Sequence, residues 1–153
     1  MVDDAALKQL AYYWFRARLM HDLLHSIKDY HQGNTQAIWD AEEGWEFDTF
    51  LCHWLSALFA VVEGFHKLKL KDKRVQRLFN EHMAYLKAMR HATYHFMVKE
   101  GPEISKMIKS LNWAEDLHDA IGEFIKELVD ERAATELAEK KPKRRRRISS
   151  RTP

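Results

Sequence analysis

Cysteine occurs once in the 153 residues, as Cys52, so an internal disulfide is excluded and a reducing compartment fits. A lone cysteine by itself points to no metal site. Glycine is scarce, at five, and two of the three prolines fall within residues 142–153. So few turn-formers exclude a sandwich or barrel of many short strands. Long apolar runs are missing as well. The nearest to one, Phe47 to Phe65, is interrupted by His53 and Glu63 and reads as a buried helix rather than a membrane span. The N-terminus opens on Asp3 and Asp4, not on a basic stretch ahead of an apolar one. A soluble, cytoplasmic protein with no membrane partner is therefore expected. No phosphate-cradling glycine loop or dinucleotide fingerprint occurs, and no cofactor is expected.

What is present is one domain's worth of chain, 46% hydrophobic and 12% aromatic. The formal charge of +2 conceals an asymmetry. Residues 140–153 carry eight of the 25 Lys and Arg and no acid, so residues 1–139 hold 17 bases against 23 acids, a net −6. A body of that sign does not resemble a duplex-binding domain. Apolar residues recur at helical spacing in four stretches. Leu7, Leu10, Trp14, Ala17, Leu24 and Ile27 mark the first, which Gly33-Asn34 ends. Phe47, Leu51, Trp54, Leu58, Val62 and Phe65 mark a broad central one, with Gly44 as a break near its start. Val75, Leu78, His82, Tyr85, Met89, Thr93 and Phe96 form the stripe of the third, stopped by Gly101-Pro102. Asn112 with Glu115 reads as a capping box opening the fourth, whose inward face is Leu117, Ile121, Phe124 and Leu128. The spacing predicts an all-α fold, an up-and-down bundle of four main helices over residues 1–138. Residues 139–153, basic and without apolar periodicity, are predicted to be a disordered tail.

Two Glu-x-x-His pairs, Glu63/His66 and Glu115/His118, carry the spacing of a di-iron bundle. In an antiparallel bundle they fall at opposite ends, so they read as solvated helix faces instead. His91 and His95 stack one helical turn apart, yet lack the glutamate and third ligand of a zinc peptidase. No metal is expected. His21 and His82 fall on apolar stripes and read as hydrogen-bonded core histidines. Cys52 and His53, being adjacent on a helix, point apart and do not form a thiol–imidazole pair.

The segment Leu86-Lys87-Ala88-Met89-Arg90-His91-Ala92-Thr93-Tyr94-His95-Phe96 is more informative. Arg90, four residues and His95 resemble the Arg-x4–6-His motif of the HEPN superfamily of small helical-bundle proteins. The polar His91 after the arginine, the aromatics flanking His95 and the position late in a long helix fit that pattern. Arg16/His21, Arg18/His25 and Arg77/His82 share the spacing without the context. Leu117 to Gly122 also resembles the closing helix of some members. Taking Met89 as zero, at about 100° per residue, the apolar stripe lies within about 40° of the core direction. Arg90 then falls near about 100°, Tyr94 about 140°, His91 about 200° and His95 about 240°, all outward. With Met83 and Met97 at its border, that face mixes apolar and cationic groups as a homodimer interface would.

The resemblance implies a metal-independent endoribonuclease whose two protomers join their motifs in one composite site, often as a toxin with an antitoxin partner or as a defence component. His95 is then the acid/base, since imidazole titrates near neutrality, and Arg90 holds the phosphoryl oxygens. His91 is the polar helper. Attack by the 2′-hydroxyl leaves a cyclic phosphate and refuses DNA. The basic tail would hold RNA by charge. Because some members keep the bundle without cleaving RNA, the alternative is a non-catalytic module for dimerisation or partner docking.

Overall fold

Asp3 begins the first helix by accepting the backbone N–H of Ala5 on its side chain, at 3.4 Å. The structure is a computed structural model that describes residues 3–34, 37–38, 44–94 and 111–140. Helix α1 spans Asp4–Tyr30, α2 Gly44–Lys67, α3 Lys73–Tyr94 and α4 Asn112–Lys140, with no strand among the described residues. This is the all-α four-helix bundle that the periodicity predicts. The last helix continues to Lys140, and residues 141–153 of the expected tail lie outside the described residues, as do Met97 and the predicted Gly101-Pro102 stop.

Local chemistry sets the ends. Gly33 takes φ +75 and its N–H reaches the carbonyl of Lys28 at 2.8 Å, a left-handed C-terminal closure that glycine adopts without strain. Asp72 caps α3 by accepting from the N–H of Val75 at 2.8 Å. The capping box expected for α4 is not formed. The helix starts at Asn112 on the carbonyl of Leu111, and the Glu115 carboxylate turns across to α1.

Cross-helix contacts fix the topology. Leu10 meets Gly64 and His21 meets Trp54, so α1 and α2 are antiparallel. Ser56 bonds Thr93 while His66 packs on Phe79, His82 stacks on Trp113 while Arg74 pairs with Glu123, and Glu115 meets His21 while Arg132 meets Asp4. Each neighbour therefore runs opposite to the next, and α4 closes the ring on α1. Two helical glycines leave room for side chains of α1. A Cβ on Gly64 would lie 2.8 Å from Leu10, and one on Gly122 would lie 2.8 Å from the Trp14 ring.

Helix α2 dominates the core, with eleven buried positions against four on α1 and five on α3. Each large apolar side chain buried there contributes about 1.5–3 kcal/mol. By length and composition this helix could also cross a membrane, but half of its apolar window, 50%, is already covered by its neighbours. On α3 the buried residues are Val75, Leu78, Phe79, Leu86 and Met89, while His82, Tyr85 and Thr93 are only half-buried. The core direction is thus turned about 30° toward Arg90 from the predicted stripe. Phe79 is drawn in against Phe59 and His66 of α2, and Trp113 of α4 covers His82 and Tyr85 from the side.

Candidate functional site

The C-terminal turns of α3 run beside the middle of α2, and the rotation of α3 brings Arg90 to the flank between them. Its guanidinium pairs with Glu63 at 2.7 Å and lies over the Phe59 ring at 5.2 Å. Arg90 is exposed, as the wheel predicts, and lies along the neighbouring helix. His91 and Tyr94 are exposed, as the wheel predicts. His95, the third residue of the motif, lies outside the described residues, one position beyond the last described turn of α3.

Two grooves meet here. One, of 750 Å³, is lined by Phe59, Glu63, Lys87, Arg90, His91 and Tyr94. The other, of 520 Å³, runs toward α1 between Tyr13, Arg16, Phe50, His53, Arg90 and Tyr94. The Tyr94 hydroxyl is 3.4 Å from Nδ1 of His53, whose ring meets the tyrosine edge-on. His53 is thus a second imidazole beside the motif. Sequence spacing had no means of finding it, because it arrives from another helix.

A second cluster forms where α1 crosses the start of α4. Glu115 accepts from both His21 and His25, the latter at 3.1 Å, with Lys28 at 3.7 Å. Burial pushes the Glu115 carboxyl up, but the hydrogen bonds and charges of His21 and His25 outweigh it and hold the group at about 2. One turn on, His118 is 5% exposed and accepts on Nδ1 from the Trp54 indole N–H at 3.3 Å. Burial, reinforced by the neighbouring His21, lowers it to about 4, so it is neutral with its proton on Nε2. The reading of Glu115 and His118 as a solvated face is corrected here: both turn inward, toward histidines and a tryptophan of other helices. His21 is hydrogen-bonded, as its stripe predicts, but half-buried at the edge of the core rather than within it.

The Glu63/His66 pair does not join this layer, since Glu63 is engaged by Arg90 and His66 by Phe79. Cys52 donates to Asp48 at 3.7 Å. Burial first, then the Asp48 charge, pushes its thiol up to about 12, so it is no nucleophile near neutral pH. His82 stacks on Trp113 with centroids 4.1 Å apart, which keeps Arg77/His82 from serving as an exposed motif.

Comparison with known proteins finds no match to this chain among family models, curated proteins or solved structures.

Proposed function

We propose that the chain is a HEPN-like, metal-independent endoribonuclease whose site forms where two copies bring their α2/α3 faces together. The observation that carries the reading is that Arg90 and Tyr94, singled out by sequence context, line both of the grooves at this face. Exposed Tyr13, Leu19, Met83 and Tyr94 supply apolar area for a second copy. Arg90 holds the phosphoryl oxygens and stabilises charge developing on them, and His95 moves the proton of the attacking 2′-hydroxyl or of the leaving oxygen. His91, exposed beside them, adds a polar contact.

A second reading, a non-catalytic module for dimerisation or partner docking, is favoured by one contact. Glu63 already engages Arg90 at 2.7 Å, as a structural ion pair would. The test is incubation of the full chain with total RNA in EDTA, beside Arg90→Ala and His95→Ala, with product ends analysed and helicity checked by circular dichroism. Cleavage by wild type alone, leaving 2′,3′-cyclic phosphates, supports the nuclease. Cleavage retained in both folded variants refutes the site. RNA left intact by the wild type, together with association lost in Tyr94→Ala, supports the docking module instead.

A further inference from the structure

The side chains that face one another across the α1/α4 seam form a donor set that nuclease chemistry does not use. His21 and His25 are one helical turn apart on α1, so their rings lie on one face. Both direct Nε2 at the same carboxylate, Glu115 in the first turn of α4. One donor atom from each of the three residues lies within 4.8 Å of the others. Two imidazoles and a carboxylate that share one focus are the ligands that zinc-class ions take, and the chain's only other i,i+4 histidine pair, His91 and His95, belongs to the α3 segment of the nuclease motif.

The surroundings are those of a ligand shell. His21 has its other ring nitrogen, Nδ1, 3.8 Å from the Asp22 carboxylate, on the side from which an outer carboxylate orients a ligating imidazole. Its ring is stacked on His118 at 4.4 Å with 14° between planes, and His118 accepts in turn from the Trp54 indole. The His21 ring is therefore packed between His118 and Trp54 before any ion arrives. A groove of 370 Å³ along the seam, lined by Trp14, Arg18, His21 and Asp22 among others, opens beside the cluster, and the His25 side chain is 41% exposed. The exposed His25 leaves the cluster open to solvent on that side.

We propose that His21, His25 and Glu115 bind one divalent transition-metal ion of the zinc class, with a remaining coordination position open to solvent. The ion would tie the second half of α1 to the start of α4. The cation it must work against is Lys28, whose ammonium is 3.7 Å from Glu115. Lys28 thus sets the affinity: it takes part of the field of the carboxylate, and its removal should tighten the site. None of these residues lines the Arg90 grooves, so the inference stands or falls independently of RNA cleavage.

The test uses the metal-stripped full chain, titrated with Zn²⁺ by calorimetry and with Co²⁺ by its visible absorption. One equivalent should bind, and the melting temperature should rise with Zn²⁺. His25→Ala, at the solvent side of the cluster, should weaken binding at least about tenfold and cancel the thermal shift. Glu115→Gln should do the same, whereas Lys28→Met should strengthen binding by about tenfold through loss of the opposing charge. The double variant His91→Ala/His95→Ala should bind as wild type does. Absence of a stoichiometric Zn²⁺ site, or an affinity unchanged by His25→Ala and Glu115→Gln in variants that keep their helicity, would overturn the proposal. So would loss of binding in the His91/His95 variant.

Discussion

Acidification from about pH 7 to about pH 4 should remove about 3 kcal/mol of stability through His118 alone. The group stands at about 4 in the folded protein against 6.5 in the unfolded chain, chiefly because it is buried. Its folded value is depressed, so the unfolded state binds more protons throughout that window. Stability is therefore intact above about pH 6.5 and falls by about 1.4 kcal/mol per unit toward pH 4. The structure supplies the cause. Trp54 donates its indole N–H to Nδ1 at 3.3 Å, so a proton added at Nδ1 would set two donors face to face in a site that is 5% exposed. Urea unfolding, followed by circular dichroism and tryptophan fluorescence, gives the stability at each pH. His118→Gln keeps an acceptor for the indole and removes the titration. The variant starts less stable at neutral pH, and the gap to wild type should close by about 3 kcal/mol as the pH reaches about 4. Glu115 also contributes a loss on acidification, from 4.5 toward about 2, but both proteins carry it, so the difference between them reports His118. Parallel curves for the two proteins between about pH 6.5 and about pH 4 would refute the assignment of a neutral, buried His118.

Two further outcomes follow from buried polar groups. With its thiol raised to about 12, Cys52 should react with iodoacetamide very slowly in the native protein near pH 8 and rapidly once urea unfolds it; rapid native labelling, read by mass spectrometry, would contradict that burial. The Tyr85 hydroxyl is buried without a hydrogen-bond partner among the described residues, while its ring meets Trp113 edge-on at 5.5 Å. Tyr85→Phe keeps the ring contact and should leave stability unchanged or raise it by up to about 1 kcal/mol, and a clear loss in urea unfolding would refute the unpartnered hydroxyl.

What the sequence makes legible is local. Leucines and aromatics at helical spacing place the four helices, and Gly33 marks the end of α1 because its backbone conformation is written in one residue. Features decided between helices are not legible in the same way. Glu115 has the spacing of a capping box, yet two imidazoles from α1 compete for its carboxylate and take it. His118 looks like part of a polar face until Trp54, 64 positions away, claims its ring nitrogen. The i,i+4 spacing of His21 and His25 is visible in the chain, but nothing local says that a glutamate will meet them. Helical periodicity likewise places the α3 stripe only to within a few tens of degrees. The remaining rotation is set by Phe79 and Leu86 packing in the core, and it lays the still exposed Arg90 along the α2 flank.

That flank position bears on how Arg90 would hold a phosphoryl group. Between exposed side chains an ion pair contributes about 0–1 kcal/mol, and Arg90 and Glu63 are 45% and 38% exposed, so Glu63 is a weak competitor while water has access. Phe59 lies beneath the guanidinium at 5.2 Å, a second contact beside the carboxylate. The arginine is thus oriented in advance by an aromatic face that does not occupy its hydrogen-bonding edge. A phosphodiester offers that edge two oxygens, as the carboxylate does, and can replace it without refolding of α3. A second copy closing over the face changes the balance. Desolvation strengthens the hold of Arg90 on any anion and makes an unpaired Glu63 costly, so in the proposed dimer a displaced Glu63 must stay in contact with water or meet a cation. Lys87 lines the same groove, and in the proposed dimer the second copy's Lys87 would be such a cation. In the proposed nuclease Glu63 would be the resting partner that RNA displaces, so the ion pair of the single chain is compatible with that proposal.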